Sequence, residues 1–201
     1  MENTIIKQVT STKFLGVNIN AENGWKDHIN EVTKKISRAL GIIRRIRYKL
    51  TTKTAMLLYD ALILSHITYC NIVWAATYKT ARIYVIQKRA LKVCLERKPA
   101  TYPKNQINSN MNSVFVTSNR LSIYNLNKLQ TVKFIYQVIN KTAPICLLNI
   151  LAPLSTIHSH NTRSENRNNL FLRQCRTNFK KFTISVRGPL IWNDLPDSLK
   201  T

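Results

Sequence analysis

The sequence predicts a mainly α protein with a short N-terminal β-hairpin, a three-helix bundle and a smaller α-rich C-terminal region. Three observations favour this fold class. Apolar residues alternate loosely over residues 4–20, as they do in strands. From Trp25 to Leu50 they recur in steps of three and four, which places one apolar stripe along a helix. The same helical spacing returns over residues 80–97 and 118–139.

The N-terminal half divides into a hairpin and three helices. The hairpin, residues 1–24, has the turn-prone segment 10–12 between its two apolar runs. The first helix spans Trp25 to Leu50 and is about 39 Å long. Thr51 or Thr52 caps a second helix that continues as far as Trp74. The third helix covers residues 80–97, with an expected core face of Ile83, Ile86, Ala90, Val93 and Cys94.

The C-terminal half begins after a predicted linker. Residues 99–117 contain two prolines and four asparagines with little apolar periodicity, so we place the linker between domains 25–98 and 118–201 there. Ser118 or Asn119 caps a fourth helix that ends before Pro144. Its expected inner face holds Leu126, Leu129, Val132, Ile135, Tyr136 and Ile139. Beyond it we predict a polar loop over 158–169, a strand over 179–186, a helical turn with Pro189 in its first position, and Trp192 in a core.

Charge favours a polyanionic partner. Thirty-one Lys and Arg residues against nine Asp and Glu residues give a formal net charge of +22. A compact chain relieves such self-repulsion by binding polyanions, and nucleic acid is the leading candidate. We expect no membrane partner, because no apolar run approaches the roughly 18 to 20 residues of a spanning helix. The four cysteines form no C-x-x-C pair and no secretion signal is evident, so we expect a nuclear or cytoplasmic protein without a metal site or other cofactor.

One face of the first helix is the leading candidate contact surface. Lys34, Arg38, Arg45 and Lys49 lie on it in steps of four, seven and four, and eight cations occur from Lys34 to Lys53 without one acid. Such faces are usually only solvated, but this one lacks the acids that usually pair with its cations. The full set of candidate phosphate contacts is Lys34, Lys35, Arg38, Arg44, Arg45, Arg47, Lys49, Arg82, Lys88, Arg89 and Lys92.

Several blocks carry a family resemblance. They read KFLGV at 13–17, Trp25-x-x-His28-Ile29, ALILSHITYCNIVW at 61–74, IQKRALK at 86–92, HSHNTR at 158–163 and GPLIWNDLP at 188–196. In this order they resemble the end of the palm, the thumb and the tail of jockey-like non-LTR retrotransposon reverse transcriptases. The resemblance implies that residues 25–98 form a thumb-like domain that holds a template–primer duplex. It also implies a primer-grip-like hairpin tip at Phe14, Leu15 and Gly16.

The chain departs from that family at the catalytic centre. A polymerase needs clustered carboxylates for two metal ions, and the family carries an aromatic-Ala-Asp-Asp turn upstream of F-L-G. Only thirteen residues precede Phe14 here, and Glu2 is their sole acid. The chain is therefore expected to be no enzyme by itself, and to be either a fragment that acts with an upstream polymerase half or a shortened derivative.

Two functions remain open from the sequence. The first is non-catalytic binding of an RNA template, a DNA primer or their hybrid duplex through phosphate contacts without base readout. The alternative is a domesticated structural or interaction protein whose basic faces bind an acidic protein. Salt-sensitive binding to unrelated nucleic acids distinguishes the first from the second.

Overall fold

A computed structural model describes residues 8–22, 24–95, 113–154 and 168–200. The predicted fold class is confirmed, because the chain is mainly helical and begins with a short antiparallel hairpin. The chain forms two compact units. The first contains Met1–Cys70 and Thr77–Ile123, and the second contains Asn71–Ala76 and Tyr124–Thr201. The predicted domain was residues 25–98. The first unit differs from it because it includes the hairpin and excludes residues 71–76.

The described residues form two strands followed by a series of helices. The strands are β1 (Ser11–Phe14) and β2 (Val17–Asn20). The helices of the first unit are α1 (Lys26–Ile46), α2 (Thr52–Tyr59), α3 (Ser65–Thr68), α5 (Ala81–Leu95) and α6 (Ser113–Ser118). Those of the second unit are α4 (Asn71–Trp74), α7 (Ile123–Ile139, whose first residue belongs to the first unit), α8 (Asn178–Lys181) and α9 (Ile184–Asn193).

The hairpin turns at residues 15–16. The strands pair Ser11 with Asn20 and Phe14 with Val17, and Leu15 and Gly16 both have positive φ, 45° and 79°. Two-residue turns of this kind match the twist of the flanking strands. The prediction of a turn at 10–12 was wrong, because a glycine adopts positive φ at little cost whereas the three hydroxyl residues there do not.

Helix α1 packs one whole face into the core. Val32, Ile36 and Ile43 are buried on it, as their spacing predicted. The α-helix ends at Ile46 and a 3₁₀ turn, Arg47–Lys49, follows before the extended Leu50. The predicted helix to Leu50 is therefore one turn too long, which is common at helix ends.

The second predicted helix is interrupted. Thr51 caps it as expected, since its hydroxyl accepts a hydrogen bond from the Thr54 amide at 3.2 Å. A π-helical turn, Asp60–Leu64, follows α2, and the Ser65 amide there donates to the Asp60 carbonyl. The chain then leaves the helix at Tyr69, which is extended, and Cys70, which has φ 48°. The predicted continuation to Trp74 was wrong, because these two conformations break the helical hydrogen-bond series.

A buried glutamine joins three parts of the first unit. The Gln87 amide donates to the Tyr59 hydroxyl and to the Leu121 carbonyl, both at 3.0 Å, and accepts from the Ile123 amide at 2.9 Å. On α5, Gln87 and Leu91 are buried, whereas the predicted core residues Ile86 and Val93 are only partly buried.

Helix α6 lies within the predicted linker. Its Phe115 is buried and stacks on Tyr84 with ring centroids 5.6 Å apart, so residues 113–117 form a helix and not a linker. The rest of the linker, 99–112, lies outside the described residues, where the sequence prediction stays a prediction.

The second unit has its own core of Ile135, Val138, Leu151, Leu170 and Trp192. Trp192 is buried as predicted, and its indole N–H donates to the Asn168 carbonyl at 2.9 Å. On α7 the predicted inner face was partly wrong, because the buried positions include two polar residues in steps of four while three predicted apolar positions are exposed. The buried polar residues are Asn127 and Thr131, and the exposed apolar ones are Leu129, Tyr136 and Ile139.

The tail also differs from the prediction. The predicted strand over 179–186 is wrong, because that segment forms α8 and the start of α9. Val186, Pro189 and Trp192 are buried three residues apart, and this spacing brings them to one side of a helix rather than a strand. Pro189 lies inside α9 rather than at its first position. Most of the polar loop 158–169 lies outside the described residues.

Candidate nucleic-acid interface

The exposed face of α1 carries three cations in line. Lys34, Arg38 and Arg45 are exposed, and they lie opposite the buried Ile36 and Ile43. At the rise of an α-helix the line from Lys34 to Arg45 is about 16 Å long. Packing of the opposite face holds the helix, so the cations project from a fixed support.

The three cations have no acidic partner within the part of the chain that the structure describes. Lys35 differs, since its ammonium lies 2.8 Å from the Glu31 carboxylate. Glu31 also accepts from the Asn18 amide at 2.6 Å. These hydrogen bonds lower the pKa of Glu31 to about 2, and the bond from Lys35 has the largest effect. The charge of Lys35 is therefore partly neutralised within α1, while Asn18 and Lys13 of the hairpin contact the same carboxylate.

Near the end of α1, two cations are exposed and a third, Arg47, is buried. Arg44 is exposed, and Lys49 is exposed with its ammonium 5.9 Å from the centre of the Tyr48 ring. Arg47 is only 6% exposed. Its guanidinium donates to the carbonyls of Val93 at 2.8 Å and Leu50 at 2.9 Å, and to the Thr52 hydroxyl at 3.3 Å. This corrects the sequence assignment, because the Arg47 side chain is used in joining α1, α2 and α5.

Helix α5 carries the remaining predicted contacts. Arg82 and Arg89 are exposed, and Lys92 is partly exposed on the same side. Lys88 is partly buried at the edge of that side. None of the four has an ion-pair partner among residues 8–22, 24–95, 113–154 and 168–200. Cations on both α1 and α5 are thus available to a partner.

The hairpin tip is apolar, exposed and anchored. Phe14 is 62% and Leu15 73% exposed. The Tyr69 hydroxyl donates to the Leu15 carbonyl at 2.5 Å, and a Cβ built on Gly16 would lie 3.5 Å from the Tyr69 ring. Leucine with positive φ is strained by steric contact of its Cβ, and the Tyr69 bond helps to hold it. Gly16 takes the second positive φ that the turn requires.

The sequence reading missed two features of these surfaces. Gly41 lies in the middle of the cationic face, and a Cβ built there would have no other atom within 4 Å. Its position in the 34, 38, 45 register was visible in the sequence. Tyr69 gave no such signal, because its contact with Leu15 joins residues 54 positions apart.

The structure, over the ranges it describes, contains no group of three or more His, Cys, Asp or Glu side chains that could hold a metal ion. His66 is exposed there, and His158 and His160 lie outside the described residues. No described helix combines the length and the apolar character needed to cross a membrane.

Comparisons of the chain with protein-family models, with curated proteins and with solved structures gave no match. We therefore base the functional proposal on the exposed cations and on the motifs given above.

Proposed function

We propose that the chain binds nucleic acid through phosphate contacts, as the non-catalytic, thumb-like part of a jockey-like non-LTR reverse transcriptase. The observation that carries this proposal is the line of Lys34, Arg38 and Arg45. All three are exposed on the outer face of one packed helix, with no carboxylate partner in the described part of the chain.

The dimensions of the face suit a duplex. A length of about 16 Å corresponds to roughly ten phosphates of a double helix, counting both strands. Three or four cations therefore have more phosphates within that length than they need. Because Lys and Arg reach phosphate oxygens without reading base edges, binding through this face is tolerant of sequence.

The motif resemblance supports a particular ligand. A thumb holds the template–primer duplex, so the expected ligands are an RNA template, its DNA primer and their hybrid. The same resemblance implies that the exposed Phe14 and Leu15 lie beside the primer terminus. Their apolar side chains suit contact with a base or sugar face better than with a phosphate.

Fluorescence anisotropy against salt concentration tests the proposal. Labelled duplex DNA, RNA–DNA hybrid and RNA of unrelated sequences are titrated at several KCl concentrations. If about six phosphates are neutralised, the logarithm of the binding constant falls with the logarithm of salt at a slope near −5. A slope near zero overturns the proposal. Indifference to every nucleic acid together with tight binding to one acidic protein supports the alternative function.

A second measurement concerns catalysis. A polymerase holds two metal ions with clustered carboxylates, and the sequence has no adjacent pair of acidic residues. We expect no primer extension by the purified chain with Mg²⁺ or Mn²⁺. Template-dependent incorporation above that of a boiled sample would contradict a purely binding role.

A further inference from the structure

Arg187 lies in the first part of α9 and is partly buried within the second unit. Its guanidinium donates a hydrogen bond to the side-chain carbonyl of Asn127. Asn127 is itself 1% exposed and donates to the Asn71 carbonyl at 3.0 Å. A chain of buried polar groups thus fixes one edge of the guanidinium in position.

Arg187 has no acidic partner in the described part of the chain, because no carboxylate among those residues lies within ion-pair distance of its guanidinium. Partial burial lowers the pKa of Arg187 below its ordinary value, because a cation that loses contact with water is less stable in its charged form. Removing a charge from water costs free energy unless an opposite charge is supplied.

The residue that accepts the hydrogen bond from Arg187 is an asparagine and not an aspartate. An aspartate at position 127 would neutralise Arg187 in a paired geometry, whereas the asparagine orients the guanidinium and leaves its full charge. A guanidinium has five N–H donors, and Asn127 accepts from one of them. The remaining donors form a planar fork that fits an oxyanion.

We propose that Arg187 binds a phosphate group, and that this phosphate belongs to a polynucleotide backbone. The planar fork matches two oxygens of a phosphate, and a chain of net charge +22 attracts polynucleotides before other phosphate carriers. This site uses no residue of the α1 face. The Arg187 site can therefore be tested independently of the function proposed for the α1 face.

The competing interpretation is that Arg187 only joins α7 to α9. NMR of the full chain separates the two, because the Arg187 Nε–Hε signal can be followed directly after assignment with Arg187→Lys. The protein is titrated first with inorganic phosphate and then with a short single-stranded oligonucleotide, at constant ionic strength. A saturable shift of this signal with the oligonucleotide supports the proposal. A shift with inorganic phosphate alone overturns the polynucleotide as ligand, and no shift with either overturns the site.

Binding measurements with matched variants complete the test. Arg187→Gln removes the fork, and Lys133→Gln removes the same charge from an exposed position of α7 in the same unit. We expect Arg187→Gln to weaken oligonucleotide binding at least about tenfold, as for loss of a charged hydrogen bond, and Lys133→Gln to have a smaller effect. Equal effects of the two variants on binding would refute a specific role. If Arg187→Gln does not fold, the NMR titration of the wild-type chain decides alone.

Discussion

The cationic face of α1 can be removed without removing the helix. Changing Lys34, Arg38, Arg45 and Lys49 together to Gln keeps helix propensity and side-chain length but deletes four charges. All four residues are exposed, and none has an ion-pair partner in the described part of the chain, so no buried contact is lost. We therefore expect binding to fall while the fold is retained.

The size of the loss follows from the number of phosphates released. Each contact with duplex DNA contributes about 0.9 to the salt slope, so four contacts contribute about 3.6. A protein that neutralises about six phosphates has a slope near −5, and its affinity falls roughly a thousandfold between 50 and 200 mM salt. With about two contacts left, the slope is near −2 and the same change of salt costs only about tenfold.

The assay is anisotropy at several salt concentrations, with circular dichroism melts to establish that each variant is folded. The control variant changes Lys26, Lys53, Lys128 and Lys133 to Gln, which removes the same number of charges from exposed positions elsewhere. We expect the control to retain most of the slope. If the α1 variant binds like the wild-type chain at equal salt, or if both variants lose the same slope, the face is not the contact surface.

Three further predictions concern the groups around this face. Arg47→Gln should lower the free energy of unfolding by about 2 to 4 kcal/mol in urea titrations, since it removes a buried cation with three hydrogen bonds; a flatter salt slope at unchanged stability would contradict its structural role. Gly41→Ala should raise stability by about 0.5 to 1 kcal/mol in thermal melts, because the added methyl meets no atom; destabilisation would show that the position is not open. The pKa of Glu31 is lowered from 4.5 to about 2, so its contribution to stability is present above pH 4.5 and is lost as the pH falls towards 2. Urea midpoints of the wild-type chain should therefore drop over that window more than those of Glu31→Gln, and parallel curves would refute the Glu31 contribution.

The parts of the fold that were predictable depend on neighbours close in sequence. The buried stripe of α1 is set by apolar spacing, and the Thr51 cap by a hydroxyl three residues before the amide it satisfies. Burial of Trp192 follows from its apolar neighbours in α9. The exposed cations of the candidate interface were found in the same way, since the face opposite an apolar stripe is the exposed one.

The parts that were missed depend on partners far along the chain. Gln87 is buried because Tyr59, Leu121 and Ile123 satisfy its amide, and none of these lies within 25 residues of it. By sequence Arg47 is one more member of a cationic run, but its guanidinium donates a hydrogen bond to the Val93 carbonyl on another helix. Burial of a polar side chain can be predicted only when its hydrogen-bond partners are known.

The strand predicted over 179–186 failed for a related reason. Thr183, Ile184 and Val186 are β-branched, and such residues favour extended structure when nothing else decides. A strand would put Pro189 on the opposite face from Val186 and Trp192, whereas a helix keeps these three buried residues, which follow one another in steps of three, on one side.

The π-helical turn at Asp60–Leu64 gives this segment a place that can absorb a change of length. A wide turn holds one residue more than an α-helical turn, and Arg120 fixes its start through two bonds to the Asp60 carboxylate, at 2.8 and 2.5 Å. Deleting one residue after Asp60 would convert the turn to α-helix, and because about five π-helical residues turn the chain as far as about four α-helical ones, Tyr69 would still be directed at Leu15. The same deletion within α2 would rotate the residues after it by about 100° and remove the anchor of the hairpin tip. Single-residue deletions should therefore be better tolerated within residues 61–64 than within residues 52–59, and thermal melts of the two sets of variants would show it.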